Sequence, residues 1–256
     1  MRAECFGLKD CGAIAPGYRA DIVLLDDLKN FHVEKVWIKG ALVAEKGKYI
    51  PQIEKYDISS VKGSVIVKDF SKEKFKMHLK KNTVNVIEIL PGGVVTRKAT
   101  AEVTLNEAGE FVYDPKVDLV KVAVVEQTSR NGKCGVRFLK GYGLKQGAVA
   151  LSVAHDSHNI IVVGVNDDEM EFAVQTLIAQ EGGIVLVKDK KVVSGMPMPI
   201  AGLMSDQSGE RVDQKLKEIH QKAYEELGIC GDVEPVMTLC FMSLAVIPEI
   251  KLTDMG

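Results

Sequence analysis

The sequence predicts an α+β protein: a short strand-bearing lead, then a mixed domain that takes up most of the chain. Three observations carry this expectation. Short apolar and β-branched runs recur from residue 21 to residue 193. Two later segments place apolar residues at helical spacing. With 46% of its 256 residues hydrophobic, the chain can bury a core, which excludes disorder. Its longest apolar runs, such as 160–165 and 183–187, fall far short of the roughly 20 residues a membrane span needs.

Residues 2–8 read as the tail of a helix, too short to stand alone. Residues 21–25 read as a buried strand, and 33–38 and 41–45, split by Lys39-Gly40, as a hairpin. Three short strands cannot bury a face by themselves, so further chain upstream is expected. A charged connector, 51–82, carries strand-like pieces at 64–67 and 75–78. Strands are then predicted at 84–90, 94–99, 101–105, 119–125, 135–139, 148–153 and 160–163. Met170, Ala173, Val174, Leu177 and Ile178 predict a helix over 167–180, capped by Asn166 or Asp167. Strands at 184–187 and 191–193 flank Asp189. Val212, Leu216, Ile219, Ala223 and Leu227 mark a helix over 209–227, and a third apolar helix is expected over 235–246.

Charge narrows the function. With 33 basic against 35 acidic residues, the electrostatic case for nucleic acid as main partner disappears. The lysines of 72–81 read as a solvated surface. Cys5, Cys11, Cys134, Cys230 and Cys240 form no Cys-x-x-Cys pair, and no apolar secretory leader precedes them. These features predict a reducing cytoplasm.

The richest polar cluster is His155, Asp156, Ser157, His158 and Asn159, between two apolar runs. Two imidazoles three residues apart around a carboxylate can position a heterocycle or meet a metal, whereas a plain β-turn accounts for Asp, Ser and Asn but not for two histidines. Glu126 ends the strongest strand, where a carboxylate can face a site. The glycines Gly141, Gly143 and Gly147 are spaced wrongly for a dinucleotide loop and read as turns. The apolar stretch 196–204 reads as packing beneath a helix or the wall of a flat ligand. His220 reads as a surface residue, and His32 and His78 have no partner pattern.

The stretch GAIAPGYRADIVLLD, ending at Asp26, resembles the segment by which amidohydrolases leave their metal barrel and enter a small β-sandwich. GAVALSVAHDSHN, GGIVLVKDKKVVSGMPMPIAGLMSD and MTLCFMSLAVIPEIKLTD, ending at Asn159, Asp206 and Asp254, resemble the C-terminal region of adenine deaminases. The resemblance implies that residues 1–60 are the end of the barrel and part of the β-sandwich, and 61–256 the family's C-terminal α+β domain. It further implies a (β/α)₈ barrel outside this chain. The barrel would carry a divalent metal, manganese or iron, and the acid/base carboxylate; no metal is expected on this chain alone. Adenine would be the substrate, hydrolysed to hypoxanthine and ammonia, and a homo-oligomer is expected, with neither nucleic acid nor membrane as partner. Residues 155–159 and Glu126 would then bind the purine edge or support the metal's surroundings. Glu126-Gln127-Thr128 stands where the family has Glu-Arg-His, a departure that bears on specificity. The alternative from another class is a stand-alone purine-binding or assembly module without catalysis.

Overall fold

The computed structural model describes residues 2–92, 94–127, 131–229 and 232–256, and divides into two compact units, Met1–Asp57 and Ile58–Gly256. The first holds helix α1 (Arg2–Cys5) and one antiparallel sheet of β1 (Ile22–Leu25), β2 (Val33–Ile38), β3 (Ala41–Glu45) and β4 (Lys48–Tyr49), in that order. The expected hairpin is there: Lys39 and Gly40 both have positive φ, 50° and 80°, as the tight turn between β2 and β3 requires. β1, expected to be buried, is not. Val23 and Leu24 are 55% and 47% exposed, because four short strands have no second layer within this unit, among the described residues, to cover them.

The second unit is built on an eight-stranded sheet. Its strands are β5 (Thr83–Ile89), β6 (Thr96–Glu102), β9 (Leu119–Val125), β10 (Cys134–Lys140), β11 (Ala148–Leu151), β12 (Ile160–Gly164), β13 (Gly183–Lys188) and β14 (Lys191–Pro197). Their order across the sheet is β14-β13-β11-β12-β9-β10-β5-β6, with β10 and β5 parallel and every other pair antiparallel. A two-stranded ribbon, β7 (Thr104–Leu105) with β8 (Phe111–Val112), lies outside this sheet.

Helices cover both faces. On one, Val120, Val122 and Val124 of β9 join Ile219, Ala223 and Leu227, the predicted stripe on and just beyond α3 (Gly209–Glu225), and Leu239 of α4 (Pro235–Cys240). On the other, Ala123, Val125, Ile160 and Val162 meet Met170, Ala173, Val174 and Leu177 of α2 (Asp167–Ala179). Burial on both sides explains why β9 reads as a continuous apolar run rather than an alternating one. Its one charge, Lys121, donates to Asp167 Oδ1 at 2.7 Å and to the Phe75 carbonyl at 3.1 Å.

Several boundaries differ from expectation. Residues 64–67 and 75–78 form no strand; Val65 and Phe75 instead anchor the connector by side chain in the α2-side core. Lysines of the expected solvated patch are partly docked there, Lys72 Nζ on Asp168 at 2.8 Å and Lys74 Nζ on the Gly132 carbonyl at 2.6 Å. The strands expected at 94–99 and 101–105 are mostly one strand, β6, because Thr100 sits in unbroken register opposite Asn85. The break comes at Val103, whose N–H turns to the Asn82 carbonyl. The third helix stops at Cys240 rather than 246. The Cys240 carbonyl accepts the His155 N–H, and Ser243 Oγ donates to the His155 carbonyl, so the chain beyond is drawn towards that loop. Among the described residues, no helix is long and apolar enough to cross a membrane.

Candidate functional site

At one end of the sheet, β9 runs out into Glu126 and Gln127, and residues 152–159 connect β11 to its antiparallel neighbour β12. Because β9 and β12 pair with Val125 opposite Ile160, residues 126–127 and 158–159 emerge side by side. The structure thus brings Glu126 to the polar loop from 33 positions away in sequence, a juxtaposition that only sheet register could give.

Each loop residue has a distinct setting. Asn159 is buried; its Oδ1 accepts the Gln127 N–H at 3.3 Å and its Nδ2 donates to Asp254 Oδ1 at 3.3 Å. His158 adopts a left-handed φ of 52°, and its N–H donates to the Ala154 carbonyl at 2.7 Å. The Gln127 side-chain amide donates to the His158 carbonyl. His155 turns the other way: its backbone is held by Cys240 and Ser243, and its ring packs on Phe241 with centroids 4.8 Å apart. The two imidazoles lie 6.4 Å apart, edge to face. Asp156 and Ser157 are exposed in the turn between them.

Glu126 is buried, and its Oε2 accepts the Asn131 N–H at 2.9 Å while its own N–H donates to the Lys133 carbonyl. It holds the ends of the 126–133 connection together as well as bordering the loop. Phe241, Ser243 and Asp254 carry no site signal in the sequence, and Gln127 stands out there only as a departure from the family's Glu-Arg-His; packing and hydrogen bonding give all four their place at the loop. Thr128 lies outside the described residues.

The remaining sequence candidates fall elsewhere. His220, expected at the surface, is half-buried on α3 with Nε2 2.6 Å from Glu234 Oε1, the residue that caps α4. The mid-helix position reads as solvated only until α4 packs alongside. Met196 is buried against the α3-side core, as expected of packing beneath a helix, whereas Met204 is exposed. His32 pairs with Asp26 at 2.9 Å within the first unit. Gly141, Gly143 and Gly147 all have positive φ, as turns require, and a side chain at Gly147 would strike the Val187 carbonyl. A cleft of about 440 Å³ lies between the β5–β6 turn and the start of α4, lined by Asp118, Asp232 and Glu234 among others. Among the described residues, no group of three His, Cys, Asp or Glu side chains could hold a metal ion.

Comparison with known proteins gives this arrangement its context. Residues 93–256 match the family described as "Adenine deaminase C-terminal domain", and residues 2–43 match the "Amidohydrolase family". Among curated relatives, "Adenine deaminase 2" of Desulfotalea psychrophila is 64% identical over 254 residues. "Adenine deaminase" of Ligilactobacillus salivarius is 46% identical, and "Adenine deaminase 2" of Carboxydothermus hydrogenoformans 42% identical, each over 254 residues. All three matches cover 99% of this chain but 44% of the relative's own length.

Proposed function

Because the chain belongs to the adenine deaminase C-terminal domain family, we propose that it serves as the C-terminal part of an enzyme that hydrolyses adenine to hypoxanthine and ammonia. The observation that carries this reading is the 64% identity to a protein named adenine deaminase, sustained over 99% of the chain. A divalent metal, manganese or iron, would supply the activation of water for attack at C6 of the purine. The described residues offer no set of ligands for it. On this reading the metal barrel belongs to the part of the relatives' length outside the match.

The part assigned to this chain is to shape the purine's surroundings. His155 and His158, with backbones fixed by Cys240, Ser243, Ala154 and Gln127, would present their rings to the substrate. Neutral or charged, an imidazole can hydrogen-bond a purine edge or hold a proton near it. Buried Asn159 and Glu126 would keep that loop in register.

Replacing both His155 and His158 by Ala in the full-length protein tests the assignment. A fall in kcat/KM for adenine of tenfold or more, with the melting temperature held within a few degrees, is the expected result. Unchanged turnover would reduce the loop to a connection. Turnover absent from the wild-type full-length protein, with purine still bound, would favour the stand-alone binding module instead.

A further inference from the structure

Buried polar atoms in folded proteins are hydrogen-bonded, and each exception calls for a physical reason. Among the described residues, four buried side-chain atoms lack a hydrogen-bond partner: Gln127 Oε1, His158 Nδ1, Glu169 Oε2 and His220 Nε2. The last lies 2.6 Å from Glu234 Oε1 and is accounted for as an ion pair. Glu169 stands apart on α2. The first two belong to residues bonded to each other, since the Gln127 amide nitrogen donates to the His158 carbonyl.

The Gln127 side chain is held from both ends of its residue. Its backbone N–H donates to Asn159 Oδ1, and Asn159 is in turn held by Asp254. Only 7% of Gln127 is exposed. Exchanging the oxygen and nitrogen of its amide would set Oε1 against the His158 carbonyl oxygen, two acceptors facing each other, and would leave the NH₂ group without a partner. The acceptor therefore remains the unfilled atom. An acceptor left unpaired in the interior loses the hydrogen bonds that water would have given it, so a ligand that supplies the donor gains by filling it.

We propose that Gln127 Oε1 and His158 Nδ1 form a two-point hydrogen-bonding site for a planar heterocycle edge that carries an N–H donor beside an acceptor. Gln127 Oε1 can only accept, so the ligand supplies the N–H. His158 Nδ1 donates or accepts according to tautomer, and meets the neighbouring ring nitrogen or oxygen. An aminopurine edge, with its exocyclic amine next to a ring nitrogen, has this pattern, and so does the lactam edge of the deaminated purine. The inference rests on the adenine reading above and makes Gln127 the residue that sets which edge is accepted. The exposed turn residues Asp156 and Ser157 adjoin His158 and form the part of the loop that would yield to admit the ligand.

The test uses the full-length protein with ¹⁵N-labelled histidine, titrated with adenine and with hypoxanthine. The expected result is a saturable shift of the His158 Nδ1 resonance. Gln127→Leu is expected to raise KM for adenine at least tenfold and to leave kcat within about twofold. The wild-type resonance keeps the test decisive if the variant does not fold. Deamination by the wild type with His158 Nδ1 unmoved would overturn the site and leave the adenine reading standing. Neither binding nor turnover by the wild type would overturn the adenine reading, and the site with it.

Discussion

Single residues around the polar loop show how much of a site depends on atoms that a sequence does not locate. The cluster from His155 to Asn159 was legible as chemistry because two histidines exceed what a turn needs. Its anchors were not, because Gln127 and Asp254 lie 31 and 96 positions from His158, and only the β9–β12 register and the C-terminal segment bring them close. Gly183 opens β13, where nothing in the sequence announces a steric demand. It has a φ of 107°, and a Cβ there would overlap the Met196 carbonyl oxygen. Gly183→Ala is therefore expected to destabilise the domain by about 2–4 kcal/mol, read as a lower urea midpoint. A pH experiment separates three other residues. Burial pushes the Lys251 ammonium down to about 8 from its ordinary 10.5, so the fold is penalised below pH 8 and regains stability as pH rises from 8 to 10.5. Burial pushes the Cys134 and Cys240 thiols up to about 12. Their contribution is complete below pH 9 and is lost as pH rises from 9 towards 12. Melting curves across pH 7–10 are expected to show the Lys251 gain in the wild type and not in Lys251→Met; equal slopes would contradict the assignment.

Secondary-structure elements were legible where one local rule dominated and obscure where tertiary pairing decided. α2 is legible because its apolar period and its cap coincide: Asn166 Oδ1 accepts the Glu169 N–H at 2.8 Å. Asn166→Ala should cost about 1 kcal/mol in chemical unfolding. α4 ends sooner than its sequence suggests, because its apolar residues continue past Cys240 while the backbone bond at its end comes from His155, 85 positions earlier. β6 reads as two strands in the sequence because its own residues carry little period, and its continuity comes from β5. The single charge in β9 marks where α2 meets the sheet. Lys121 and Asp167 form an ion pair whose lysine side chain is 5% exposed. Lys121→Met leaves the Asp167 carboxylate without its cation and should cost about 3 kcal/mol. Adding Asp167→Asn should recover part of that loss, and failure to recover any would show that the pair is not what joins the two elements.

The chain as a whole combines a finished domain with a sheet whose apolar side chains stay in the open. In Ile58–Gly256 both faces of the large sheet are covered by helices, whereas in Met1–Asp57 residues such as Val23, Leu24, Phe31 and Tyr49 are exposed. The chain spans 44% of the length of the relatives it matches. On the proposed reading, the chemistry that activates water belongs to the remainder, and this chain supplies surroundings for the purine. The decisive measurement compares the 256-residue chain with the full-length protein for adenine-to-hypoxanthine turnover, with bound metal counted by elemental analysis. Turnover and metal in the full-length protein, with neither in the 256-residue chain, is the result expected. Robust turnover by the 256-residue chain, with one or two equivalents of metal bound, would contradict the proposed division of labour.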